Sequence, residues 1–394
     1  MKYKSTRGGV AGLGFTDALL MGLASDGGLL VPESIPDVTS ELEDLRHCSF
    51  VELAQHIVGM FVDDIDTPTL NRLITEAYST FDHPEVVGWH ELDKVTVVEL
   101  FHGPTLAFKD VALQLLGQLF QHVLALRNQR LNILGATSGD TGSAAIAGVR
   151  GQDNVDIFIL YPKGRVSPLQ ELQMTTVVDR NVHCIEVDGT FDDCQRIMKD
   201  TFSDLDYKEK YQLGAVNSVN WARVLAQIVY YGYASLKTPT AAQFSVPTGN
   251  FGNVFAAYLA QRMGFPINKL IVATNENDIL ARFFATGEYA SGEVHQTVSP
   301  AMDIQVASNF ERFLFYYFGE DSQRLRKFMS DFAATGRAGL GAAPETSLFA
   351  AVAIDQTQTL AVMRDINARF DYVLDPHTAV GVAAAQQLCV ADEP

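Results

Sequence analysis

From about residue 94 onward, short apolar runs rich in β-branched residues alternate with segments of helical period. This alternation constrains the fold more than any other feature of the 394-residue chain. The runs are VTVVELF (95–101), LNILGAT (131–137), VDIFILY (155–161), VHCIEV (182–187), FSVPTG (244–249) and LIVATN (270–275). Between them apolar residues return every three to four positions. Val111, Leu115, Leu116, Leu119, Phe120, Val123 and Leu124 follow Asp110, and Phe251, Val254, Phe255, Tyr258 and Leu259 follow Asn250. Near-continuous apolar strands are buried on both faces, and strands alternating with helices make βαβ units. The expected fold is therefore α/β, with mostly parallel sheets flanked by helices. The first 90 residues differ. SFVELAQHIVGMF (50–62) and TPTLNRLITEAYSTF (67–81) predict two helices, with Pro32, Pro36 and Pro84 in connecting segments.

Length suits two or three domains. A composition that is 47% apolar and only 19% charged supplies a large core and excludes a disordered chain. The net charge of −18 argues against nucleic acid or an anionic membrane as partner. No apolar run approaches the roughly 18–20 residues of a membrane span. The opening MKYKSTRGGV lacks the apolar stretch of a secretory signal. Cys48, Cys184, Cys194 and Cys389 show neither CxxC nor zinc spacing, and read as reduced thiols of a cytoplasmic protein. Nothing in the sequence assigns an oligomeric state.

In parallel α/β sheets ligands gather at the carboxyl ends of strands, beside helix N-termini. Several turns stand there. FHGPTLAFKD (101–110) sets Lys109 at the mouth of a helix, with Asp110 as its expected cap. A cation is mismatched to a helix N-terminus, which points either to a functional lysine, neutral or tied up as an imine, or to an ordinary solvated one. GATSGDTGSAA (135–145) combines Gly135, Gly139 and Gly142 with the hydroxyls of Thr137, Ser138 and Thr141. It reads as a nest for a carboxylate or phosphate, against a plain capped turn. SVPTGNFGN (245–253) is neither GxGxxG nor a P-loop, and a monophosphate cradle fits it best. In NSVNWAR (217–223), Asn217 and Ser218 are turn donors and Arg223 follows on a helix, either as a phosphate partner or as a salt-bridged surface group. LDPHTAVG (374–381) ends a strand, and Thr378 is the expected helix cap. No GxSxG elbow supports a hydrolase.

A lysine and two anion cradles on one α/β scaffold suggest pyridoxal phosphate bound as a lysine imine. Taken in order, the five motifs and the opening YKSTRGG resemble those of the threonine synthases, within the fold type II (β-family) pyridoxal phosphate enzymes. The resemblance covers most of residues 1–381. It implies Lys109 as the imine lysine, and Thr248, Gly249, Asn250, Phe251, Gly252 and Asn253 around the cofactor phosphate. It further implies Thr378 facing the pyridine nitrogen, and Asp140 at the cofactor's 3′ oxygen, where many relatives place Asn. Thr137, Ser138 and Thr141 would meet the substrate carboxylate. Asn217, Ser218 and Arg223 would meet its phosphate, with Lys163 and Arg165 of YPKGRVSP (161–168) as further cations. The implied reaction turns O-phospho-L-homoserine and water into L-threonine and phosphate. The alternatives are a serine/threonine dehydratase or related phospho-lyase, and a non-catalytic threonine synthase-like binding protein. The implied organisation is a mainly helical region at 1–92, a smaller α/β domain at 93–212 carrying Lys109 and the TSGDTG loop, and a larger α/β domain at 213–394 carrying the phosphate cradle. Family members usually continue with another strand and helix beyond the point where this sequence stops.

Overall fold

Burial of the apolar runs on both faces yields two separate parallel sheets. In the computed structural model, which describes residues 1–389, the first sheet holds Leu131–Ala136, Val155–Pro162, Val182–Val187 and Leu213–Gly214. The 131–136 and 155–162 strands are central, and every pairing is parallel. Residues 213–214 thus extend this sheet just past the boundary expected at 212. The second sheet holds Ala242–Pro247, Ile267–Thr274 and Phe349–Ala353, again parallel, with 267–274 in the middle. Ile133, Ile157, Leu270, Ile271 and Val272 are fully buried, as their uninterrupted apolar neighbourhoods require.

The VTVVELF run departs from the expectation. Val95–Glu99 pairs antiparallel with Gly88–Leu92 in a tight hairpin, with Asp93 at φ +58° in its turn. Leu92 and Val97 bury against Ile366, Leu374, Ala379 and Val382. The hairpin therefore packs on the last two helices, Gln356–Phe370 and Pro376–Leu388, and joins neither parallel sheet. An apolar run reports burial; it does not report the direction of its partner.

Both N-terminal helices form. Phe50–Phe61 is closed by a Ser49/Glu52 capping box, and Thr67–Tyr78 is capped by Asp66. The Trp221–Lys237 helix is buried along almost its whole length and forms a central post. Tyr3 ties the N-terminal strand to it: its hydroxyl accepts from Trp221 Nε1 at 3.2 Å and donates to the Phe61 carbonyl at 2.7 Å. The helices Asp110–Arg127 and Asp140–Val149 cross at glycines. A Cβ on Gly117 would stand 1.8 Å from the Gly148 carbonyl oxygen, so only glycine permits the approach. The register that sets Gly117 against Gly148 also sets Lys109 against Asp140 at the helix starts. Among the described residues no helix is long and apolar enough to cross a membrane.

Candidate active site

Lys109 is presented by a turn that Asp110 holds together. Asp110 is not the cap expected of it. It is the first residue of its helix, fully buried, and its carboxylate accepts from the Thr105 N–H and hydroxyl, both at 2.8 Å. Burial pushes its carboxyl above the usual range, against the opposing Thr105 bonds. Lys109 occupies the cap position without a capping bond, and its ammonium pairs with the Asp140 carboxylate. Burial alone would raise the Asp140 carboxyl. The Lys109 charge and hydrogen bond, with a smaller effect from His377, outweigh burial and hold it below the usual range.

Lys109 and Asp140 line one open cleft of about 3350 Å³, together with Ser138, Thr141, Arg165, Asn217, Ser218, Arg223, Gly249, Asn250, Gly252, Asn253 and Thr378. Thr137 also reaches the wall, but its hydroxyl is already engaged. It accepts from the N–H groups of Gly139 at 3.0 Å and Gly142 at 2.9 Å, and so shapes the nest from within. Ser138 is exposed, and Thr141 is partly so. In the 248–253 turn Thr248 donates to Asn253 Oδ1 at 2.7 Å, and Asn253 Nδ2 donates to the Pro247 carbonyl at 2.9 Å. Thr248 and Phe251 lie behind the lining. Phe251 is at φ +63°, which turns its ring into the core, edge-on to Phe310 at 5.2 Å. Lys163 stands apart: it is exposed and pairs with Glu186 at 3.4 Å. Thr378 is not the helix cap. Asp375 caps that helix, and the Thr378 hydroxyl donates to the Asp375 carboxylate.

Arg223 is the unusual group. It is buried, its Nε has no hydrogen-bond partner among the described residues, and it lines the cleft. Burial lowers its guanidinium to about 10, with the Asp140 charge opposing, so it remains a cation at neutral pH. Asn217 Oδ1, on another residue of the cleft lining, is also buried and without a partner among the described residues. Sequence reading missed Ala301, Met302 and Ser308, which also line the cleft. Ser308 Oγ lies 2.8 Å from Ser218 Oγ and donates to Asn250 Oδ1 at 3.1 Å. His377 Nε2 accepts from the Ala301 N–H at 3.2 Å. None of these lies in a glycine-rich turn, so no local signal singled them out.

The family described as Threonine synthase N terminus matches residues 2–78, and the family described as Pyridoxal-phosphate dependent enzyme matches residues 90–393. A threonine synthase of Pseudomonas aeruginosa is 47% identical over 98% of this chain and 84% of its own. That of Schizosaccharomyces pombe is 45% identical over 97% of this chain and 82% of its own. The chain belongs to the threonine synthase family. The crystal structure of PLP-bound threonine synthase from Brucella melitensis superposes with a TM-score of 0.97 at 46% identity, covering 100% of this chain and 87% of that one. The fold is accordingly that of the fold type II enzymes, and this threonine synthase-family chain is a pyridoxal phosphate-dependent enzyme of the lyase class. Its relatives do not favour the dehydratase and non-catalytic readings. The residues present fit the cofactor. The Gly252–Arg262 helix starts in the cleft with no side-chain cap from Phe251; the Val254 N–H donates to Asn253 Oδ1 at 3.0 Å, which leaves the N–H groups of Gly252 and Asn253 for an anion. The primary amine of Lys109 lines the same cleft.

Proposed function

We propose that this cleft converts O-phospho-L-homoserine and water to L-threonine and phosphate, and that Arg223 is the group that selects the substrate. The supporting observation is a buried guanidinium with an unpartnered Nε in the cleft wall. An enclosed charge without a counter-ion is costly, by several kcal/mol, unless a ligand supplies one. A phosphate dianion is the natural partner for a guanidinium fork.

When bound, pyridoxal phosphate supplies the sink for electrons released at the substrate's α-carbon. Lys109 would hold it and then carry the α-proton, with the Asp140 carboxylate orienting Nζ. Gly249, Asn250, Gly252 and Asn253 would offer the cofactor phosphate their backbone donors, while Thr248 and Phe251 stiffen the turn from behind. Thr378 would face the ring nitrogen. Ser138, Thr141 and the N–H groups of the nest would take the substrate carboxylate, with Thr137 holding the nest in shape. Asn217, Ser218 and Arg223 would take the departing phosphate, and Arg165 adds a second cation. Interactions that strengthen as the leaving group gains charge raise the rate and not merely the affinity. In domain terms, 93–212 would bring the lysine and 213–394 the cradle, with 1–92 bracing both. Four free thiols support a reducing, cytoplasmic setting.

Arg223→Ala tests the proposal. The cofactor absorption band should remain, and turnover of phosphohomoserine should fall at least about tenfold, since charge-assisted bonds are worth roughly 1.5–3 kcal/mol each. Parent turnover in this variant would remove Arg223 from the site and shift the role to Arg165.

A further inference from the structure

Residues 308–312 belong to no motif read from the sequence, yet they touch two of them. Arg312 has no exposure, and its guanidinium is spent on neutral oxygens. Nε and Nη2 donate to the Leu30 carbonyl at 3.0 and 2.9 Å, Nη2 also to the Val219 carbonyl at 2.6 Å, and Nη1 to Asn309 Oδ1 at 2.5 Å. Asn309, equally enclosed, passes the link on. Its Nδ2 donates to the Ser218 carbonyl at 3.0 Å, and its backbone N–H donates to the Asn250 carbonyl at 2.9 Å. Asn309 Nδ2 also stands 3.1 Å from the place a Cβ on Gly252 would take. One short segment therefore grips both the substrate turn and the cofactor turn.

Enclosing a cation among neutral carbonyls carries a desolvation cost that an apolar side chain of similar volume avoids. Packing alone does not call for arginine here. Acceptors on three separate chain segments do, because the rigid fork serves them together. We infer that Arg312, acting through Asn309, is a positioning residue that fixes the 217–220 turn against the 249–253 turn, and so sets the span between the substrate's phosphate and the cofactor. The inference rests on the proposed roles of Asn217, Ser218 and Arg223.

The test uses the holoenzyme. Arg312→Lys keeps the charge but cannot reach all three segments. With rates normalised to bound cofactor, KM for O-phospho-L-homoserine is expected to rise about tenfold or more, because displacing a binding group by around an ångström has effects of that order. Cofactor affinity should stay within about twofold of the parent, because the backbone bond from Asn309 to Asn250 survives. A merely structural arginine gives parent KM and parent kcat per bound cofactor, with only the unnormalised rate reduced in proportion to the folded, cofactor-loaded fraction. That pattern overturns the inference, as does parent behaviour throughout. Should Arg312→Lys not fold, Asn309→Ala takes its place. It spares the Arg312 bonds to Leu30 and Val219 and removes the Asn309 side-chain bonds to the Ser218 carbonyl and to Arg312 Nη1, and the same split is expected under the same criteria. A parent enzyme that releases no phosphate from phosphohomoserine sinks the wider reading. An active parent with unshifted KM in the variant sinks this inference alone.

Discussion

In the proposed site, Asp140 and Lys109 are the pair on which the chemistry would turn. The Lys109 charge and hydrogen bond hold the Asp140 carboxyl below its usual range against burial. The sign of the pH effect follows. A carboxyl held below its unfolded value of 3.8 contributes stability above that pH and loses the contribution as pH falls through the folded value. Cofactor-free Asp140→Asn should therefore melt below the parent at neutral pH, with the gap closing once pH drops under about 3.8. Thermal unfolding across that range checks it. A gap independent of pH would mean that the pair contributes nothing electrostatic. Asp110, one residue from Lys109, illustrates the limit of local reading. Its position suggested a cap, but its carboxylate turns back to Thr105 and builds the loop that presents the lysine.

At the scale of elements, the cradle depends on glycine. Gly252 opens its helix within 3.1 Å of Asn309 Nδ2, measured from where a Cβ would stand. Gly252→Val should weaken pyridoxal phosphate binding by at least about tenfold while far-UV circular dichroism stays unchanged, since branching at that point crowds both Asn309 and the anion site. Binding equal to the parent would place the cradle elsewhere. Five of the seven parallel strands and the two N-terminal helices were legible because period and burial agree along them; Leu213–Gly214 and Phe349–Ala353 were not read. The motif turns were legible because glycines and hydroxyls cluster where strands meet helices. The 88–99 hairpin was not, since its GWHEL strand mixes polar and apolar residues. Nor was the 308–312 bracket, whose Asn309 and Arg312 acquire their roles only from Leu30, Ser218 and Val219, far away in sequence.

For the whole molecule, two facts pull against each other. A net charge of −18 repels a phosphorylated amino acid, yet the cleft wall holds a buried cation, Arg223, which the proposed function assigns to its phosphate. Long-range repulsion is screened beyond about 8 Å at physiological salt, whereas the enclosed Arg223 is screened far less. Local geometry therefore decides which substrate is taken. The cleft, at about 3350 Å³, is several times larger than the roughly 300–1,000 Å³ typical of small-molecule pockets, so the substrate must be located by its two charged ends. The most direct measurement gives the holoenzyme O-phospho-L-homoserine and follows L-threonine and inorganic phosphate together, with L-threonine and L-serine as parallel substrates. Equal amounts of threonine and phosphate, with no comparable ammonia from the free amino acids, are the expected result. Ammonia released from threonine or serine without phosphate release from phosphohomoserine would contradict it.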